Sequence, residues 1–414
     1  MFPPYLQTAF VAWGSRGITL LYRLVTIPLL LQALGTEKYA ALVVLTSLEA
    51  WFLLLDFGVG TSIQNHLSEN LFHKQEEKAL VKTALVLAFC AFGVGALLFI
   101  LLQPLLEGFL LEKFLHENGS ALRISACFFL IGTFGSIASK ILIARQKGFV
   151  VYLTQGMASL ISLLFLLLAY KNLNLVKSLF FTIGVSSFFS LVLSLVVFWK
   201  VDIQAPIRFE VVKRAKGFWF FSCMAALVLS SDGLIISRTL ESAEIVQYHL
   251  LVKIFGVGAF MYSAVLQGLW PSCSEKWAMG DGHWVVKKIS FFSFIGILCA
   301  LFFTGIIFFS KETFERFFFL PLSKAGILWS GVYLCVRIFA DFHAMALQSR
   351  SDLKLFFYLV PIQAVCSLVF QWFLSSFFGL SGIFAGLVLS YVFTVCFALP
   401  KRLFWLRDSV CLQR

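Results

Sequence analysis

Hydrophobic residues in this chain run in long blocks broken by short polar stretches. Twelve blocks fall at about 9–32, 39–60, 80–106, 121–144, 150–170, 176–199, 217–237, 243–270, 289–310, 325–347, 355–377 and 380–399. Most reach the roughly 20 residues that carry a helix across the hydrocarbon core of a bilayer. A segment in lipid must satisfy its own backbone, so each block is expected as an α-helix. The breaks hold no more than about twenty residues, too few for an inserted soluble domain. The predicted fold class is therefore all-α: a polytopic membrane protein of about 12 transmembrane helices.

The polar breaks also repeat. Leu34-Gly35-Thr36-Glu37-Lys38-Tyr39 joins blocks 1 and 2, and Leu240-Glu241-Ser242-Ala243-Glu244, followed by Tyr248, joins blocks 7 and 8. Arg145 precedes block 5 as Arg350 precedes block 11, and Tyr152 and Tyr358 open those two blocks. The offsets are all about 205 to 209 residues, half the chain. Six helices per half is an even number, so the halves should share one orientation. The pattern predicts two parallel six-helix repeats, residues 1–205 and 206–414, around a central cavity.

Composition agrees with a lipid environment. Of 414 residues, 60% are hydrophobic and 13% charged, against about 25% charged in soluble domains. The net charge of +12 would suggest nucleic acid in a soluble protein. Here the Lys and Arg residues sit mainly between apolar blocks, where they set topology, and no nucleic-acid partner is expected. With the N-terminus inside, the cytoplasmic segments hold 20 Lys and Arg and the outer loops 9. Both termini are thus expected in the cytoplasm. Met1–Phe10 carries no positive charge, so no cleavable leader is expected. Nine scattered cysteines form no C-x-x-C pair and six histidines no metal spacing, so no disulfide framework, metal or other cofactor is expected. Asn118-Gly119-Ser120 fits the glycosylation sequon, a weak pattern.

Charges inside the blocks carry the candidate chemistry, since an ionisable group at the bilayer centre costs at least about 2.5–3.5 kcal/mol. Arg16 and Arg23 are seven apart in block 1, and Glu49 and Asp56 seven apart in block 2. Counting inward from the shared outer turn matches Arg23 with Glu49, and Arg16 with Asp56, to within about a few Å of depth. Two readings stand: static ion pairs, or arginines that face the cavity and grip an anion. In the second half Lys253 and Asp232 are candidates to pair, and Arg337 and Asp341 are four apart on one helix. A guanidinium forks onto phosphate oxygens, which makes Arg337 a candidate anion contact. The basic clusters Lys140, Arg145, Lys147 and Lys213, Arg214, Lys216 suit anionic lipid at the inner face. Trp51, Trp270 and Trp329 are candidates to line a cavity.

No H-E-x-x-H, G-x-x-x-x-G-K-[ST] or G-x-S-x-G motif occurs, and the outer loops near 107–120 and 311–324 are short for a catalytic domain. An enzyme is not expected. Leu34-Gly35-x-Glu37-x-Tyr39 and Leu54-Leu55-Asp56-Phe57-Gly58-Val59-Gly60 resemble the Wzx-type polysaccharide-biosynthesis flippases of the multidrug/oligosaccharidyl-lipid/polysaccharide exporter superfamily. Ser231-Asp232-x-Leu234-Ile235-Ile236-Ser237, Tyr248, Trp270-Pro271 and Gly379-Leu380-x-Gly382-Ile383 resemble that family's second half. The resemblance implies a flippase for an undecaprenyl-diphosphate-linked oligosaccharide, such as an O-antigen or capsule repeat unit. Transport would run from the inner to the outer leaflet of a bacterial cytoplasmic membrane by alternating access. Arg16, Arg23, Lys253 and Arg337 would hold the diphosphate. Glu49, Asp56, Asp232 and Asp341 would serve as ion-pair partners or couple transport to a proton or sodium gradient. The alternatives are a cation-coupled multidrug exporter of the same superfamily and a membrane sugar polymerase or ligase.

Overall fold

The computed structural model describes residues 4–69, 74–108, 119–145, 147–229, 232–350 and 354–411. His73, His116, Asn118, Ser231, most of the 107–120 loop and the side chains of Trp270 and Pro271 lie outside the described residues. All regular structure within them is helical.

Among the described residues nine stretches are long and apolar enough to cross a membrane, but two are double. Gly14–Asp56 has 43 residues and Lys354–Arg407 has 54. A straight helix of 43 residues would be about 65 Å long, twice the hydrocarbon thickness. The chain turns back instead at Gly35 (φ 75°) and Gly379 (φ 53°), conformations that a side chain disfavours. The helices are thus α1 (4–34), α2 (36–69, interrupted), α3 (Lys74–Leu106), α4 (Gly119–Ala144), α5 (Gly148–Ala169) and α6 (175–198). They continue as α7 (210–239, described on either side of residues 230–231), α8 (Ser242–Ala278), α9 (Gly282–Phe309), α10 (Lys324–Ser349), α11 (354–378) and α12 (380–411). A short helix, Lys311–Phe318, bridges α9 and α10. The expected dozen is present.

Two compact units emerge, Met1–Ala226 and Leu227–Arg414. Their packing partners correspond: α4 lies on α2, α3 and α6, while α10 lies on α8 and α9 and meets α12 at the Tyr333 and Tyr391 rings. The seam falls inside α7, later than the 205/206 boundary read from the sequence. Three contacts account for that. The start of α7 buries Val211 and Ala215 in the core of the first unit, against residues such as Ile63 and Ile137. Ser62 Oγ donates to the Val211 carbonyl at 2.8 Å, and Trp219 Nε1 donates to the Leu54 carbonyl at 3.0 Å. The loop between α6 and α7 is also fastened to α3. Lys82 Nζ donates to the carbonyls of Ile203 and Ala205 at 2.5 and 2.6 Å, and Arg208 N donates to Thr83 Oγ1 at 2.9 Å. Arg208 also pairs with Glu76 (Nε to Oε2 3.1 Å), and Lys78 pairs with Asp202 at 3.3 Å. The Gln204 amide and the Lys78 ammonium hold the Asp202 carboxyl below its ordinary pKa.

The Leu54–Gly60 segment interrupts α2. A 3-10 turn, Leu54–Asp56, ends in Phe57 at φ 51° and Gly58 at φ 72°, and the helix resumes at Val59. Asp56 Oδ1 accepts the Gly58 N–H at 2.7 Å, the Asx-type bond that favours such a break.

In the second unit, Glu244 accepts the Leu380 N–H at 3.2 Å and so ties the α11–α12 turn to the start of α8. Gly382 and Gly386 then bring α12 against the backbone of α11, in the small-xxx-small manner of membrane helices. A Cβ on residue 386 would stand 2.6 Å from the Gln371 amide nitrogen. Gly386→Leu should therefore cost about 3 kcal/mol or more, read as a lowered melting temperature of the detergent-purified protein. An unchanged melting curve would refute the close packing.

Candidate functional site

Three intramembrane charges of the second unit, Asp232, Arg337 and Asp341, lie in one polar network built on α10. Tyr333, Arg337 and Asp341 follow at i, i+4 and i+8, so they share one helix face. Arg337 Nε lies 3.6 Å from Asp341 Oδ2, the within-helix pair expected from spacing. Tyr262 on α8 donates to Asp341 Oδ2 at 2.5 Å. Tyr333 accepts a hydrogen bond from the Arg337 side chain, and its ring sits 5.9 Å from that of Tyr391 on α12. The Tyr391 and Tyr262 hydroxyls are close enough to Arg337 to interact electrostatically.

A second carboxylate joins this set. The Tyr248 hydroxyl donates to Asp232 Oδ2, and Asp232 Oδ1 also accepts the Gly233 N–H at 2.8 Å. The Asp232 carboxylate acts electrostatically on Tyr333, which sets it beside the Arg337 group. Asp232, expected as a partner of Lys253, is instead held by a phenol. Lys253 sits half-buried on α8, between Tyr248 and Tyr262 along the helix.

One arginine on one carboxylate does not exhaust a guanidinium's five donors. Arg337 Nε is buried and lacks a hydrogen-bond partner, which is costly unless a visiting acceptor completes it. Phenol hydroxyls donate to phosphate or sugar oxygens and carry no charge to be neutralised. The network can thus receive a polar anion.

In the first unit Arg16 and Arg23 are both exposed on α1 within an apolar span. The Arg16 guanidinium lies 6.0 Å above the Tyr152 ring of α5. Beside it Ser15 packs on Gly156, and Thr19 and Ser159 share a hydrogen bond at 3.0 Å. These small and polar contacts dock α1 on α5. Asp56, matched by depth with Arg16, serves the α2 break instead, with Lys140 of α4 acting on it electrostatically. Glu49 is exposed at the start of its helical segment. Trp51 is half-buried with its indole nitrogen lacking a hydrogen-bond partner, and Trp329 is exposed.

Sequence reasoning missed the tyrosines. Tyr248 stands out in the sequence as a repeat marker and in the family resemblance, and Tyr262, Tyr333 and Tyr391 carry no sequence signal of their own. The spacing of Tyr333, Arg337 and Asp341 was the available signal.

No family model matches the chain. Curated relatives do. A protein of Yersinia pseudotuberculosis named "Putative O-antigen export protein" is 32% identical, over 96% of this chain and 95% of its own length. A "Putative O-antigen transporter" of Salmonella typhimurium is 33% identical, over 96% of both chains. Solved structures share the fold at 13% identity. An inward-facing multidrug MATE transporter of the MOP superfamily aligns over 97% of this chain and 98% of its own, with TM-score 0.72. The lipid II flippase MurJ, inward closed, aligns over 98% and 91%, with TM-score 0.67. The chain belongs with these O-antigen export and transport proteins, the Wzx-type family, and shares the fold of transporters of the MOP superfamily.

Proposed function

We propose that this multi-pass membrane protein is a flippase that carries a polyprenyl-diphosphate-linked oligosaccharide from the inner to the outer leaflet of a bacterial cytoplasmic membrane, with both termini cytoplasmic. The observation that carries this reading is Arg337, set among tyrosine hydroxyls in an apolar helix, with a buried Nε that makes no hydrogen bond. Such a cation is retained where an anion must pass. The named relatives, matched over 96% of the chain, support a sugar cargo, and likeness to a lipid II flippase supports a lipid-linked one.

In this mechanism the diphosphate is taken up by Lys253 and Arg337 of the second unit, and the polyprenyl tail stays in lipid. Hydroxyls of Tyr248, Tyr262 and Tyr333 replace the water stripped from the sugar. Alternating access moves the bound headgroup across without exposing it to hydrocarbon. Asp341 releases Arg337 when the diphosphate arrives, and Asp232, Glu49 or Asp56 couples the cycle to a proton or sodium gradient.

In a strain lacking this protein, lipid-linked repeat units should accumulate on the inner leaflet, and purified protein in liposomes should expose a fluorescent undecaprenyl-diphosphate oligosaccharide to the opposite leaflet. Unchanged leaflet distribution in both experiments would defeat the proposal. Imposed proton and sodium gradients should change the liposome rate; indifference to both would remove the coupling step alone.

A further inference from the structure

A cavity of about 760 Å3 opens in the first unit, where α3 begins and α4 and α6 end. It involves none of the residues assigned above to transport. Its volume falls within the range of about 300–1,000 Å3 usual for ligand pockets. One part of its wall is basic: Lys74, Lys78, Arg145 and Lys200. Another is apolar, formed by the last turns of α6, including Val196 and Trp199.

Two of the four cations are already matched. Lys78 pairs with Asp202 at 3.3 Å and Arg145 with Glu77 at 2.7 Å. Those are the two acids of the lining. Lys74 and Lys200 have no ion-pair partner among the described residues, so the cavity keeps a surplus of two positive charges. The apolar wall faces outward: Val196 is 69% and Trp199 80% exposed. Both stand where a membrane helix meets the polar loop, the level at which tryptophan anchors to headgroups.

A small soluble anion would use the lysines and gain nothing from Val196 and Trp199. An apolar peptide would leave two ammonium groups unanswered. A molecule with a phosphate at headgroup level and hydrocarbon directly below it satisfies both walls. We propose that this cavity is a binding site for an anionic phospholipid of the surrounding leaflet. Lys74 and Lys200 take its phosphate while its upper acyl methylenes lie along Val196 and Trp199. With the orientation proposed above, this is the cytoplasmic leaflet; the site itself does not depend on the transported substrate.

The occupant bears on the loop between α6 and α7 as well. Lys78 and Asp202, at the cavity wall, belong to the contacts that fasten that loop to α3. A phosphate drawn in by Lys200 sits beside this fastening.

The test is a titration of the purified full-length protein with phosphatidylglycerol or phosphatidylcholine, read by native mass spectrometry as bound lipid. Lys74→Gln/Lys200→Gln leaves both ion pairs intact. It should weaken phosphatidylglycerol binding roughly twentyfold, from about fivefold per lysine at an anionic surface, and leave phosphatidylcholine unchanged. Lys171→Gln/Lys177→Gln, in the α5–α6 loop and the first turn of α6, should bind like the wild type. Should the first variant fail to fold, Trp199→Ala tests the apolar wall and should weaken phosphatidylglycerol several-fold. Equal phosphatidylglycerol binding in the variants and the wild type would overturn the proposal. So would displacement of the lipid by glycerol phosphate alone, which would mark a plain anion site. Displacement by a polyprenyl diphosphate would overturn it too, marking a waiting station for substrate.

Discussion

Arg337→Ala should abolish transport while the double variant Arg337→Ala/Asp341→Ala remains folded and equally inactive. The single change leaves the Asp341 carboxylate with the Tyr262 hydroxyl at 2.5 Å but without the guanidinium that stands 3.6 Å from it. Removing one member of a half-buried pair leaves an unmatched charge in an apolar span, so the single variant should also express poorly. The double variant removes that penalty and isolates function. Each charge-assisted hydrogen bond to a phosphate contributes about 1.5–3 kcal/mol, so losing two should weaken diphosphate binding by more than ~100-fold. Arg337→Lys keeps the charge but loses the fork and should restore folding without restoring rate. Full transport by the double variant in liposomes would show that Arg337 only secures α10.

The second large effect is structural. Gly58 combines a positive φ of 72° with a hypothetical Cβ 2.7 Å from the Trp219 amide nitrogen and closer still to the Ala215 carbonyl. Strain in that backbone region costs a side chain about 1 kcal/mol, and the clash is with the backbone of α7, which has no rotamer to change. Gly58→Ala should undock the start of α7, seen as loss of the monodisperse gel-filtration peak. Gly217→Ala, one turn away on α7, has open space around its new methyl group. It should be tolerated, and helix propensity favours it by up to about 1 kcal/mol. A well-folded Gly58→Ala protein would show that the α2 break is not the seat of α7.

The helices were legible in the sequence because lipid forces each span to be apolar and to close its own hydrogen bonds. Arg337 with Asp341 was legible for a related reason: residues four apart on a helix meet wherever that helix goes. Depth counting gave the axial position of Arg16 and Asp56 but not the rotation of their helices. Asp56 turned out to bond its own turn, and Arg16 to lie over Tyr152. The break in α2 was written in Asp56-Phe57-Gly58, a turn-forming sequence inside an apolar block. It was hidden by the hydrophobicity on either side. The Tyr248–Asp232 bond joins two different helices, and no spacing rule reaches across helices.

Because the seam between the units falls at Ala226/Leu227, within α7, hybrids that join the halves of two relatives have a preferred splice point. A crossover in the 200–209 loop would hand the foreign α7 to the parental Ile63–Ile137 core and to the carbonyl of Leu54. A crossover after Ala226 keeps those partners from one parent. The first kind of hybrid should inherit mismatched packing at Val211 and Ala215, whereas the second should assemble each parental cassette whole.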